Sequence, residues 1–364
     1  MREHPYTVLV VGGGPAALEA ILALRDLAPD IDVELMTPDA DYVHRPMSVV
    51  EPFAVPGARR FPYARLTDLG VTVHEDALVE VVAAEHRVRT ISGRDLSYDA
   101  LLMVTGAEAA PPAAGALTFS GPDDVERMHG LIQDIEGGYV RSVVFHAPLG
   151  ASWTLPLYEL ALQTAERARE MSMDRVQLTV ASHEDRPLEV LGPSFSELIG
   201  STLQEAGVRF QNARHELPSA DRLVVLPVPV GRRVPGLPAD GQGFLPVDGQ
   251  GRVAGTAGVW AAGDGSTFSS IKQGGLATQQ AEVAARSIAI DAGCPVGEAS
   301  FEPVLRAMLI GGRRTWFVCR RLDGRDMGEF RTSPLWTPPG KIAGERLSPF
   351  LDAIDTGPMP VAAG

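Results

Sequence analysis

Gly12, Gly14 and Ala17 follow the apolar run "TVLVV" in a GxGxxA spacing, within "VLVVGGGPAALEA". That spacing suits a pyrophosphate. Glycine at 12 permits a tight turn, and glycine at 14 has no Cβ to keep a phosphate off the backbone. A small residue at 17 lets a helix pack close to a strand. Pro15 fits the first helical position, where no N–H donor is needed. The free N–H groups of that helix end favour negative charge. Strand before and helix after make this a dinucleotide-binding turn. An acidic residue is expected about 20 residues on, at the end of the next strand, to hold a ribose. Thr37 stands there. Asp39 and Asp41 lie just beyond, and Asp39 is the candidate substitute; the other reading is a solvated loop carboxylate.

A second set lies far downstream. In "VWAAGDGS" (259–266) a buried strand ends at Gly263–Asp264. An aspartate there either accepts a hydrogen bond from a ligand hydroxyl or caps a helix. The two cysteines, Cys294 and Cys319, form no CxxC pair, zinc pattern or disulfide framework. Each reads as a small core residue. No metal site is expected, and a reducing cytoplasm is the simplest compartment.

The elements that must position these residues alternate between strand and helix. "TVLVV" (7–11), "DVELM" (32–36) and "YDALLMVTGA" (98–107) read as buried parallel strands, with a helix over 15–28. A second α/β block starts near Asp123. It runs through "SVVFHA" (142–147), a helix over 155–171, "VQLTVAS" (176–182), a helix over 194–206 and "RLVVLPV" (222–228). A Pro/Gly-rich linker (229–243) precedes "VWAAGDGS" and a helix over about 275–291. Short strands and a Pro-rich tail close the chain. At 364 residues two or three domains are expected. The net charge of −14 opposes non-specific binding to nucleic acid. No apolar run reaches the ~18 residues of a spanning helix. The early first strand leaves no room for a signal peptide.

Three segments turn a dinucleotide into FAD by resemblance. "YDALLMVTGA" resembles the domain-crossing strand and Thr-Gly of two-dinucleotide flavoproteins. "GFLPVDGQGRVAGTAGVWAAGDGST" resembles their second FAD motif. "KQGGLATQQAEVAARSIA" looks like the helix after it in sulfide:quinone oxidoreductases and type-two NADH dehydrogenases. "DYVHRPMSVVEPF" (41–53) and "FEPVLRAMLIGGRRTWF" (301–317) fit the same group of pyridine nucleotide-disulfide oxidoreductase-like flavoproteins. The resemblance implies an α/β fold with two Rossmann-like domains of the glutathione-reductase type and a small C-terminal region. The FAD domain would comprise 1–115 and 230–295, the second domain 116–229, and an interface region 296–364. It implies FAD contacts at Gly12, Gly14, Pro15, Ala17, Asp39, Arg45, Thr105, Gly106, Gly263, Asp264, Gln273 and Gly275. Asp264 would accept from a ribitol hydroxyl. The helix near Gly275 would aim its N-terminus at the flavin, favouring the reduced form's negative charge. Lys272 would add positive charge there, and His44 would relay protons. The bland readings are a solvated lysine and a structural histidine.

The departures matter as much. No redox cysteine pair exists in residues 1–290, and neither cysteine maps onto a sulfur relay. In relatives the second block binds NAD(P)H through GxGxxG followed by Glu-Leu-Ala. Here "ELA" survives as Glu159–Ala161, but the three glycine positions hold Ser152, Thr154 and Leu157. The block then completes the fold without docking a nicotinamide. The expected function is FAD-dependent electron transfer from a small-molecule donor to a quinone-like or protein acceptor. An NAD(P)H reductase with a degenerate site and a non-catalytic FAD-bound subunit are the rivals. The arginines from Arg313 to Arg331 either attract an acidic redox partner or are solvated strand faces. Leu347, Phe350, Leu351 and Ile354 share helical spacing. The segment is short and not basic, so it suits packing on the body or across a homodimer better than a membrane-surface foot.

Overall fold

The computed structural model describes residues 4–110, 115–173 and 175–356. The strands of its three main sheets are numbered here in chain order. β1 (Thr7–Val11), β2 (Asp32–Thr37), β3 (Val71–Glu75) and β4 (Ala100–Met103) belong to the first sheet. β5 (Leu117–Thr118), β6 (Ser142–Ala147), β7 (Gln177–Ser182), β8 (Val208–Asn212) and β9 (Arg222–Val225) make the second. β10 (Val259–Ala261) then returns to complete the first. Both sheets are wholly parallel, in the orders β10-β4-β1-β2-β3 and β5-β9-β6-β7-β8. β11 (Val304–Ile310), β12 (Thr315–Arg321) and β13 (Glu329–Arg331) form an antiparallel sheet. The α/β class and the paired Rossmann-like sheets expected from the sequence are present.

The helices are α1 (Pro15–Leu27), α2 (Val125–Glu136), α3 (Leu155–Glu170), α4 (Pro193–Glu205), α5 (Gly274–Asp291) and α6 (Leu347–Thr356). Parallel strands are buried on both faces, which is why β1 and β4 read as unbroken apolar runs. α1 and α5 share one core cluster through alanines, Ala16, Ala17, Ala20 and Ala23 on one helix and Ala277, Ala281, Ala284 and Ala285 on the other. Small side chains let the two backbones approach, so their N-termini lie side by side: a Cβ on Gly274 would stand 3.6 Å from Pro15. The stretch after Val228 is not a bare linker; 229–231 pairs antiparallel with 107–109.

The amphipathic tail packs on the first sheet's body. Leu347 and Phe350 are buried in the same cluster as α1. Phe350 meets Phe61 edge-on at 5.5 Å. Among the described residues, no helix is long and apolar enough to cross a membrane.

Candidate functional site

The β1–α1 turn is built as its glycines require. Gly12 has φ +118°, and a Cβ there would stand 2.3 Å from the Val104 carbonyl oxygen. Gly14 faces open space: a Cβ added there would meet nothing within 4 Å. No side chain caps α1, Pro15 sits in its first turn and Ala17 is fully buried. Thr37 is buried at the end of β2, while Asp39 beyond it is exposed. One neighbour was not foreseen. The Tyr63 hydroxyl donates to the Gly13 carbonyl, and the ring packs where Thr37 also approaches.

The second half-site lies at the end of β10. Gly263 has φ +77°, and its N–H donates to Gln280 Oε1 at 2.8 Å. Asp264 is half-buried, and burial pushes its carboxyl up to about 6 against the nearby Lys272 charge and a backbone bond from Gln273. Gln273 caps α5. Its Oε1 accepts from Leu276 N–H at 2.8 Å, and its Nε2 donates to the Arg306 carbonyl at 3.1 Å. Gly275 lies within the first turn, against the Gln273 side chain. Thr105 and Gly106 follow β4, and Gly265 must be a glycine because a Cβ there would come within 2.8 Å of the Gly106 oxygen.

A cavity of about 450 Å³ brings Arg45, Asp264, Lys272 and Gln273 together. The glycine turn, Asp39, Thr105 and Gly106 are not on its wall. Lys272 is engaged in its own loop. Its ammonium donates to the carbonyls of Ser266 at 2.6 Å and Ser269 at 2.9 Å, and lies 4.2 Å from the Phe244 ring centre. His44 is off the cavity wall. Its Nδ1 is 3.1 Å from the Tyr42 hydroxyl, and burial, with Arg59 and Lys341 adding to it, pushes its pKa down to about 4. The imidazole is therefore neutral near neutral pH.

Sequence reasoning missed a buried ion pair on this wall. Lys341 Nζ donates to both oxygens of Glu159, whose Oε1 also accepts from Ile310 N–H at 2.7 Å. Burial lowers the Lys341 pKa and raises that of Glu159, each opposed by the partner's charge. Glu159 was visible only as part of "ELA"; nothing local tied it to a lysine in the Pro-rich tail.

The second sheet's loop has filled its own crevice. Thr154 Oγ1 donates to Glu184 at 3.0 Å, Tyr158 Oη at 2.7 Å and Ser182 Oγ at 2.7 Å. Glu184 lies just past the end of β7, where a Rossmann sheet usually presents its ribose-binding carboxylate. Here it is 4% exposed and already satisfied. Ser152 Oγ accepts the Lys272 N–H at 3.2 Å, which ties this loop to the other half-site. Leu157 is core. Ser152, Thr154 and Leu157 thus all have structural partners.

A family model described as pyridine nucleotide-disulphide oxidoreductase matches residues 6–216. The chain belongs to that family. Members of this pyridine nucleotide-disulphide oxidoreductase family are flavin-dependent oxidoreductases, and the chain is an oxidoreductase of that kind. Among solved structures it is similar to a sulfide:quinone oxidoreductase from Aquifex aeolicus, with TM-score 0.81 and 16% identity over 90% of this chain and 87% of that one. It also resembles a ferredoxin reductase from Rhodopseudomonas palustris, with TM-score 0.66 and 17% identity over 87% and 83%. A third is an NAD-dependent persulfide reductase from A. fulgidus, with TM-score 0.61 and 20% identity over 87% and 64%. At these identities the likeness shows the fold. No curated protein matches the chain.

Features outside the cavity are largely accounted for. Arg313 pairs with Glu166, Arg321 with Glu302 and Arg331 with Glu329, while Arg320 donates to the Val190 carbonyl. Neighbouring carboxylates and carbonyls thus take up much of the arginine cluster. Cys294 and Cys319 are free thiols, and neither lines the cavity. Among the described residues, no three His, Cys, Asp or Glu side chains are placed to hold a metal.

Proposed function

We propose that the protein binds one FAD and passes electrons from a small donor to a quinone-like or protein acceptor, without a nicotinamide nucleotide. One contrast carries this reading. The two flavin half-sites are open, whereas the loop that would hold NAD(P)H is closed by Ser152, Thr154 and Glu184. The residues present fit FAD. The uncapped α1 and the free space at Gly14 suit a pyrophosphate, with Pro15 and Ala17 shaping the turn. Asp39, exposed just beyond β2, would accept from a ribose hydroxyl. Asp264 is a half-buried carboxylate facing the cavity, and a ribitol hydroxyl would supply the donor it needs. The N-terminus of α5, with Gln273 and Gly275, offers partial positive charge to a reduced ring. Arg45, Thr105 and Gly106 flank these groups.

When bound, FAD supplies the two-electron chemistry, and the protein supplies orientation and electrostatics. Lys341 holds a proton at Nζ on the cavity wall, and Glu159 fixes where that proton sits. Neutral His44 and Tyr42 form a second proton-carrying pair one step away from Arg45. The Ser152 bond to Lys272 keeps the second sheet's loop against the flavin side.

Anaerobic stopped-flow tests the reading. NADH and NADPH should reduce the flavin slowly or not at all. Losing two or three phosphate hydrogen bonds, at roughly 1.5–3 kcal/mol each, weakens nucleotide binding by several powers of ten. Saturable reduction at micromolar NADH or NADPH, on the timescale of turnover, would show a working nucleotide site and refute it.

A further inference from the structure

A second cavity, of about 620 Å³, lies between the helices of the first sheet and the tail. One side comes from α1 and α5, a second from residues 299–302 and Arg306 of β11, and a third from the tail loops at 336–338 and 343–345. None of its lining residues lines the cavity at Asp264. A partition of side-chain bonds runs between the two. Gln273 Nε2, on the first cavity's wall, donates to the Arg306 carbonyl at 3.1 Å. Gln279 donates to the Val304 carbonyl at 2.9 Å and accepts the Val304 N–H at 3.0 Å. The space therefore belongs to the fold, whatever fills the first cavity.

Four carboxylates and one guanidinium line it, and most of the carboxylates are occupied. Buried Glu19 accepts the N–H groups of Arg346 and Leu347, each at 2.9 Å. Glu282 binds Arg286 and Arg346, and Glu302 binds Arg321. Two opposite charges are left without a hydrogen bond among the described residues. Glu345 is exposed and senses Arg346 only through its field. Arg306 is half-buried, and its guanidinium makes no hydrogen bond or ion pair there. Five N–H donors at a half-buried position call for an acceptor. Beside them Trp336 is fixed by a bond from its Nε1 to the Gly340 carbonyl at 3.1 Å and by edge-on contact with Phe317 at 5.3 Å. With Phe301 and Pro338 it gives the cavity an apolar side.

A simple anion would meet Arg306 among carboxylates, and a simple cation would meet the guanidinium. A molecule bearing both charges answers both. We infer that this cavity binds a small zwitterion, an α-amino acid with an apolar or aromatic side chain. Its carboxylate sits on Arg306, whose fork takes such a group through two parallel N–H bonds. Its ammonium sits on Glu345 and its side chain against Trp336. Apolar walls with a few placed polar groups are the usual form of a small-molecule site. The inference goes beyond the flavin function and does not depend on it.

The test is isothermal titration calorimetry on the full-length protein as purified. The probes are L-phenylalanine, phenethylamine, which lacks the carboxylate, and 3-phenylpropionate, which lacks the ammonium. L-Phenylalanine should give saturable heat, and each single-charge probe should bind about tenfold or more weakly. Arg306→Gln should bring L-phenylalanine to within about threefold of phenethylamine, and Glu345→Gln should bring it to within about threefold of 3-phenylpropionate. No saturable heat up to about 10 mM would overturn the inference. So would phenethylamine or 3-phenylpropionate binding wild type as tightly as L-phenylalanine, a comparison that needs no variant to fold. An Arg306→Gln protein with unchanged affinity for L-phenylalanine would overturn it too.

Discussion

Replacing Lys341 with methionine isolates the cost of one buried charge. The Lys341 side chain is 5% exposed and that of Glu159 is 0% exposed. In Lys341→Met the carboxylate keeps its bond from Ile310 N–H and loses both bonds from Nζ. Two charge-assisted hydrogen bonds at roughly 1.5–3 kcal/mol each give about 3–6 kcal/mol. Removing one partner of a buried pair typically costs about 3–5 kcal/mol, so the two routes agree. Proton uptake limits the loss. Burial already raises the Glu159 pKa, and without Lys341 its main opposing influence is gone. The folded-state value then lies above the unfolded one. The penalty is absent below the unfolded pKa and grows as pH rises through the folded pKa. Urea denaturation should therefore show a loss of about 3–5 kcal/mol at pH 8 that shrinks towards pH 5. Adding Glu159→Gln should remove the pH dependence, and Glu159→Leu in the same background should recover much of the stability. A loss below about 1 kcal/mol at pH 8, or the same loss at both pH values, would refute the reasoning.

Gly14→Asp should leave a folded but colourless protein, because a Cβ and carboxylate would fill the space kept open at the α1 N-terminus; flavin content after purification checks it. Cys294→Ser with Cys319→Ser should retain FAD and turnover, since neither thiol lines the cavity; loss of turnover with FAD retained would reinstate a thiol step. Asp264 makes a pH-dependent contribution in the cofactor-free protein. Its carboxyl lies at about 6 through burial, so stability present below the ordinary value near 3.8 is lost as pH rises through about 6. Asp264→Asn should stabilise that form by about 2–3 kcal/mol above pH 7 and weaken FAD retention, as melts at pH 4.5 and 8 and flavin titration would show.

Much of the fold was legible because parallel strands and glycine turns leave local traces. "TVLVV", "ALLM" and "SVVFHA" are apolar runs at the right lengths, and helix ends fell within a residue or two. The loss of glycines at 152, 154 and 157 was legible as an absence. What replaced them was not. Thr154 meets Glu184, and Ser152 meets Lys272, only after two sheets have folded. Lys341 and Glu159 are joined by tertiary packing across half of the chain, so no short window of sequence contains both. Lys272 shows the opposite limit. It lines the cavity, yet no sequence pattern announces that two carbonyls of its own loop accept its protons. Tyr63 lay in an unremarkable stretch, and only the packing over Gly13 reveals it.

The return of β10 to the first sheet has a consequence for synthesis. Every strand of the second sheet lies between residues 117 and 225, so that sheet is complete before residue 259 leaves the ribosome. Until then β4 presents an open edge where β10 will pair. The helix that packs against α1 has not been made either. Domains generally fold as units in the order they emerge. Here the guest is finished while its host still waits for a strand. The glycine turn at 12–14 emerges first, and Asp264, the other half of the proposed flavin site, about 250 residues later. If the proposed flavin site holds, cofactor loading would report that most of the chain has been translated, and a chain interrupted before residue 259 would carry an unpaired strand edge for the quality-control machinery to recognise.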